Sequence, residues 1–109
     1  MNDAHRLSDR QLLDALKALA NPVRLQIMEW LRNPNEEFAD WEPIADRTEV
    51  GVCASHIQAK AQLAQSTISS YMTTLEHAGL VHSTRIGKWT HYKRNEDRLR
   101  LVGRAVSDM

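Results

Sequence analysis

The residues between Gln65 and His77 have the types and the spacing of a helix that contacts nucleic acid. Ile68, Met72 and Leu75 recur at i, i+4 and i+7, so one face of this helix is expected to be buried. The opposite face carries an amide and hydroxyl groups. The alternative interpretation is a solvated surface helix without a binding role, but such a helix more often carries Lys and Glu. Amide and hydroxyl groups bond to base edges or phosphates in the major groove. The candidate contact residues are Gln65, Ser66, Thr67, Ser69, Ser70, Tyr71 and Thr73.

Two basic residues supply the charge that this helix lacks. Arg85 and Lys88 flank Gly87, which separates two strand-like runs at 80–86 and 89–93. The pattern predicts a hairpin with both cations at its tip. Cations in this position lie along phosphates or enter the minor groove, and such contacts weaken as the salt concentration rises. The N-terminus of the 65–77 helix favours a phosphate as well.

A second short helix must hold the 65–77 helix in place. The pattern at 55–62 predicts this helix, with Ile57 and Ala61 facing inward, and a turn follows at 63–65. Gly79 stands where a left-handed residue usually ends a helix. Two short helices joined by a tight turn are typical of a helix-turn-helix, here at about 55–78, and the hairpin follows at about 80–93.

Three further helices are expected around this unit. Ser8 opens a capping-box pattern, which predicts a first helix at about 8–20. Asn21 and Pro22 suit the start of a second helix, and Asn95 is expected to cap a last helix at about 95–107. The predicted fold is mainly α with a small β-hairpin, about five helices in the order α-α-α-α-β-β-α. It forms a single domain over residues 1–109.

Length and composition limit the class of protein. The chain has 109 residues, one cysteine and a net charge of zero, so one domain without an internal disulfide is expected. No apolar run approaches the roughly 20 residues of a membrane helix, and no secretory signal is visible, so we predict a cytoplasmic protein without a membrane partner. The neutral total hides opposite charges. Residues 33–51 hold six acids and one base, and residues 81–104 hold seven bases and two acids.

The first and last helices carry more apolar residues than thin peripheral helices need. Two interpretations remain, which are packing into the core of one chain and contact with a second chain. A chain this short has little else to cover these stripes. The candidate dimer residues are Leu12, Leu16 and Leu19 on the first helix and Leu99, Val102 and Val106 on the last.

Three segments together resemble a known family. ALANPVRLQIMEWL, LAQSTISSYMTTLEHAGLV and RIGKWTHYKRN are similar to the ArsR-type winged helix-turn-helix repressors of bacteria, over nearly the whole chain apart from residues 33–50. The resemblance implies a homodimer built from the first and last helices. It also implies a repressor that binds double-stranded operator DNA with the 65–77 helix in the major groove and the wing at 85–89 on the backbone or minor groove. A small-molecule inducer, which the sequence does not identify, would release it.

The sensing residues of that family are mostly missing. The Cys-x-Cys pair of its best-known metal site corresponds to the region of Cys53, which has no second cysteine, and the last helix has no histidine. We therefore predict no metal and no cofactor, with Cys53 and His56 as the remaining metal candidates. Ala64 stands where such proteins usually have a capping serine, so Ser66 is expected to cap the 65–77 helix instead.

The acidic segment at 33–51 has no sustained periodicity. We interpret it as an ordered loop held by Trp41, and the alternative is a surface for a ligand or partner. The competing function for the whole chain is therefore a winged-helix interaction module with a protein docked on this loop. An enzyme is not expected, because no nucleophile, base and acid occur together and no phosphate-binding loop is present.

Overall fold

The computed structural model describes residues 6–109, and within them it has seven helices and three strands. The helices are α1 (Asp9–Leu19), α2 (Pro22–Arg32), α3 (Pro34–Glu37), α4 (Arg47–Val50), α5 (Ala54–Ala61), α6 (Gln65–His77) and α7 (Glu96–Ser107). The strands are β1 (Val52–Cys53), β2 (Val81–Ile86) and β3 (Trp89–Arg94). The five longer helices and the hairpin confirm the predicted order.

The predicted loop at 33–51 is wrong in its details. It contains the one-turn helices α3 and α4, and strand β1 follows directly, so residues 6–109 form seven helices rather than about five and three strands rather than two. Elements of two to four residues are too short to produce a periodic pattern in the sequence. We call residues 33–51 the insertion.

The sheet is antiparallel with the order β1-β3-β2. Its register pairs Val52 with Tyr92 in the short arm and Ile86 with Trp89 at the hairpin tip. Gly87 adopts a φ of 59°, which the first position of this two-residue turn requires. The predicted hairpin, or wing, is therefore confirmed.

Local signals define the ends of several helices. Ser8 forms a capping box with Gln11, in which each side chain accepts the other residue's backbone N–H, at 2.9 and 3.1 Å. Gly79 adopts a φ of 78°, and Leu80 N–H donates to the Leu75 carbonyl at 3.0 Å. This bond closes the C-terminus of α6, as the glycine predicted.

The core lies between the helix-turn-helix, the sheet and α2. Phe38 from the insertion is fully buried there and makes an edge contact with Trp30, with the ring centres 6.2 Å apart. Trp41 is only half-buried, so Phe38 and not Trp41 is the main anchor of the insertion. Across the described part of the chain, every helix is too short or too polar to cross a membrane.

Candidate nucleic-acid interface

Helix α6 divides into a buried and an exposed face as its sequence pattern predicts. Ile68, Met72 and Leu75 are at most 2 % exposed. Thr67 and Tyr71 are half-buried. The remaining candidate residues lie on the exposed face, and these are Gln65, Ser66, Ser69, Ser70 and Thr73. The structure thus presents a polar, uncharged surface along one side of α6.

The N-terminus of α6 has free backbone donors. The helix starts at Gln65, after a turn in which Gln62 takes a left-handed φ of 57°. Ala64 is the N-cap, and no side chain caps the helix, so the expectation that Ser66 does so is wrong. A residue inside the first turn has helical backbone angles and cannot take the N-cap position. The first backbone N–H groups therefore point outward without a side-chain acceptor, and such an end attracts a phosphate.

Tyr71 is held by a contact from α2. The guanidinium carbon of Arg24 lies 5.3 Å from the centre of the Tyr71 ring. Arg24 Nε also donates to the carbonyl of Ala18 at 2.6 Å, near the end of α1. This arginine connects α1, α2 and α6, so the position of Tyr71 depends on the body of the protein.

The wing presents two exposed cations. Arg85 Nε donates to the carbonyl of Gly87 at 3.1 Å, and Lys88 Nζ lies 5.1 Å from the centre of the Trp89 ring. Neither cation forms an ion pair with any residue between 6 and 109. Both charges are therefore available to an external anion such as a phosphate.

A groove of about 320 Å³ joins the two candidate surfaces. Gln65 and Ser69 of α6 line one side, and Arg85 and Lys88 of the wing line the other. The sequence prediction missed further polar residues in this groove. They are Ser55 and Gln58 of α5 and Thr90 of β3. For Ser55 the sequence offered a signal, because it lies opposite the buried Ile57 on α5.

The two metal candidates are engaged with other groups. Cys53 is buried in β1, with its Sγ 3.0 Å from Ser55 Oγ. His56 stacks on Trp41 at 6.3 Å between ring centres, and its Nδ1 lies 3.3 Å from Arg47 Nη2. Burial, the Arg47 charge and the nearby His91 lower the pKa of His56, in that order of importance. Residues 6–109 contain no group of at least three His, Cys, Asp or Glu side chains that could hold a metal ion.

The candidate dimer residues fall into three groups. Leu12, Leu19 and Leu99 are half-buried against the core. Val102 is 6 % exposed, so it belongs to the core of this chain and offers almost no surface to a partner, contrary to the prediction. Leu16 and Val106 are exposed, and so is Leu13 on the same helix as Leu16. These three side chains lie on α1 and α7, which contact each other.

The chain is similar to known transcriptional regulators. It is 48 % identical over 85 residues to the uncharacterized HTH-type transcriptional regulator YbzH of Bacillus subtilis (strain 168). The aligned region covers 78 % of this chain and 84 % of that protein. No protein-family model matches the chain.

Solved structures share the fold. An ArsR-like transcriptional regulator from Rhodococcus sp. RHA1 superposes with a TM-score of 0.66 at 20 % identity, over 91 % of this chain and 78 % of that one. A homodimeric winged helix-turn-helix DNA-binding domain from Mycobacterium bovis, a possible ArsR-family regulator solved by NMR, gives a TM-score of 0.60 at 28 % identity. That match covers 94 % of this chain and 88 % of the mycobacterial fragment.

Proposed function

This chain belongs to the HTH-type transcriptional regulators of the ArsR family, and we propose that it acts in the cytoplasm as a homodimeric transcriptional repressor. In this proposal α6 enters the major groove of operator DNA, and the wing tip at 85–89 lies on the backbone or in the minor groove. A signal that is still to be identified releases the complex. The observation that carries the proposal is the groove in which the uncharged face of α6 meets two unpaired cations.

The two sides of the groove have different tasks. Gln65 and Ser69 are exposed and uncharged. They can form hydrogen bonds with particular bases and add no attraction to the phosphates that all DNA sequences share. A good pair of bonds from one glutamine to adenine discriminates by about 1–3 kcal/mol. Arg85 and Lys88 act through charge, which favours any phosphate. Specificity is therefore assigned to α6 and most of the salt-dependent affinity to the wing.

The surface of α1 and α7 supports the proposed pairing of two chains. Leu13, Leu16 and Val106 are 48, 37 and 44 % exposed on two helices in contact, which places apolar area at the surface of a small domain. The mycobacterial neighbour is described as homodimeric, which supports the same arrangement here. A dimer of helix-turn-helix units reads two half-sites about one helical turn apart.

The proposal is tested with DNA from upstream of the protein's own coding sequence. Fluorescence anisotropy should give tighter binding to this DNA than to a scrambled fragment of equal length. Gln65→Ala removes one base contact from each half-site of the proposed dimer. At about 1–3 kcal/mol per contact it should weaken binding to the specific fragment by about 30-fold or more and leave the scrambled fragment unaffected. Gln26→Ala, the same change at an exposed residue of α2, serves as the control and should alter neither affinity. Equal affinity of wild type and Gln65→Ala for both fragments would refute the assignment of α6.

A second candidate function is a protein-interaction module that docks a basic partner on the insertion. Six carboxylates of the insertion form no ion pair with any described residue, and of these only Glu42 acts noticeably on the charge of Arg47. These residues are Glu36, Glu37, Asp40, Glu42, Asp46 and Glu49. This candidate requires a partner that co-purifies in equal amounts and is lost when several of these residues are changed to Gln. Specific DNA binding without such a partner would reject it.

A further inference from the structure

A cleft of about 320 Å³ lies beneath the insertion, away from the groove between α6 and the wing. The end of α2, the short helices α3 and α4, the end of β3 and the first residue of α7 all line it. Its volume is at the lower end of the range of about 300–1,000 Å³ in which proteins bind small molecules. A ligand in it would touch most parts of the fold that surround the helix-turn-helix.

The charge of the cleft is opposite to that of the insertion. Four cations and two carboxylates line it, which are Arg32, Arg47, Lys93, Arg94, Glu36 and Glu96. Arg94 and Glu96 form an ion pair with Nε and Oε2 2.9 Å apart, so they neutralise each other. Three cations then face one carboxylate. A cationic cleft under an acidic segment selects anions by their charge.

Two of the exposed cations have donors to spare. The guanidinium of Arg32 makes no hydrogen bond or ion pair with any residue in the described part of the chain. Lys93 Nζ makes a single long bond of 3.4 Å to the carbonyl of Glu49. Guanidinium and ammonium groups donate several hydrogen bonds each, and carboxylate and phosphate oxygens are their strongest partners.

Arg47 adds a charge to the lining of the cleft that has no ion-pair partner in direct contact, although Glu42 acts on it from a distance. It is 4 % exposed, and no carboxylate of residues 6–109 lies within ion-pair distance. Its guanidinium is held instead by the carbonyl of Trp41 at 2.7 Å and by His56. Buried charges in proteins are normally paired. An anion in the cleft would provide a countercharge at shorter range than Glu42 does.

The cleft also has an apolar wall. Leu31, which is 5 % exposed, and Pro34 contribute to its lining. A ligand that fills the space therefore needs an apolar body as well as a negative group. A small organic carboxylate has both, whereas a bare phosphate has only the charge.

We propose that this cleft binds a small organic carboxylate and that its occupancy lowers the affinity for operator DNA. The second half of this inference depends on the proposed function. Arg94 provides the link, because its Nη1 donates to the Met28 carbonyl at 3.1 Å while its other donors hold Glu96 at the start of α7. A ligand carboxylate competes with Glu96 for this arginine. It thereby shifts the base of the wing relative to α2 and α7.

The test is an NMR titration of the full chain with sodium benzoate at constant ionic strength. Benzamide, which has the same shape without the charge, is the matched probe. Benzoate should shift the backbone amides of Arg32, Thr48 and Lys93 with a dissociation constant on the order of 10 mM, and benzamide should not. Arg32→Gln and Lys93→Gln should each weaken benzoate binding about fivefold. The control Arg10→Gln, on α1, should have no effect.

Four outcomes separate the parts of the inference. Absence of saturable benzoate shifts up to about 100 mM, ten times the expected constant, would overturn the site. Inorganic phosphate that binds while benzoate does not would overturn the carboxylate class. Benzoate that binds as expected but leaves operator affinity unchanged at saturation would overturn the link to DNA. A protein that binds benzoate but no DNA would refute the proposed function and support the site.

Discussion

Replacement of Gly51 by alanine should strongly destabilise the fold. Gly51 connects α4 to β1 with φ 88° and ψ −153°, a backbone conformation that is essentially restricted to glycine. A Cβ atom at this position would overlap the backbone carbonyl of Tyr92 and lie 2.8 Å from Lys93 Cα. Both atoms belong to β3, the strand that pairs with β1, so neither can move aside without opening the sheet.

The expected cost combines two terms. The unfavourable backbone conformation costs about 1–3 kcal/mol. The steric overlap with a packed strand costs about 1–3 kcal/mol, as for other overpacking substitutions. Together they predict a loss of about 2–6 kcal/mol in the free energy of unfolding, which urea titration followed by circular dichroism can measure.

Two other glycines provide matched controls. Gly87→Ala meets no atom within 4 Å but keeps a φ of 59°, so it should cost only the left-handed term of about 1–2 kcal/mol. Gly103→Ala, in the open part of α7, should stabilise by about 0.5–1 kcal/mol. The order of stability is therefore Gly103→Ala, wild type, Gly87→Ala and Gly51→Ala. A Gly51→Ala protein as stable as Gly87→Ala would refute the close contact with β3.

Three further predictions concern the insertion, His56 of α5 and the proposed dimer. Phe38→Ala should lower the free energy of unfolding by about 3–5 kcal/mol in urea, because it leaves a cavity at a fully buried ring. The pKa of His56 is lowered from about 6.5, so below that pH the unfolded chain takes up the proton first. The free energy of unfolding should therefore fall as the pH drops from 6.5 towards the folded pKa, and this slope should be smaller in His56→Gln. Leu16→Lys should shift sedimentation at micromolar concentration from dimer to monomer while the folded circular dichroism spectrum is retained, because it places a charge in the proposed interface.

Local chemistry made much of the fold predictable from the sequence. The Ser8 capping box and the helix end at Gly79 depend only on residues a few positions away in the sequence, so a short sequence pattern is enough to predict them. The insertion was less predictable, because α3, α4 and β1 owe their conformation to packing against distant residues. The same reason explains why Phe38, and not the larger Trp41, is the buried anchor.

The candidate interface shows the same division. The helical period alone identified the exposed face of α6, and the glycine turn identified the cations at the wing tip. The groove itself results from how α5, α6 and the wing pack, so Ser55 and Gln58 became visible only in three dimensions. Val102 was misassigned because a periodic apolar stripe does not reveal whether its partner is the same chain or another one.

The salt dependence of DNA binding tests the central claim most directly. Affinity for the upstream DNA should be measured from low to moderate salt for wild type, Gln65→Ala and the double variant Arg85→Gln/Lys88→Gln. The double variant removes four cations from a dimer and should reduce the slope of log affinity against log salt by about 0.9 per lost contact, or about 3.6 in all. Gln65→Ala should weaken binding without changing the slope, because it loses a base contact and no charge. Equal slopes for wild type and the double variant would contradict the assignment of charge to the wing and of base reading to α6.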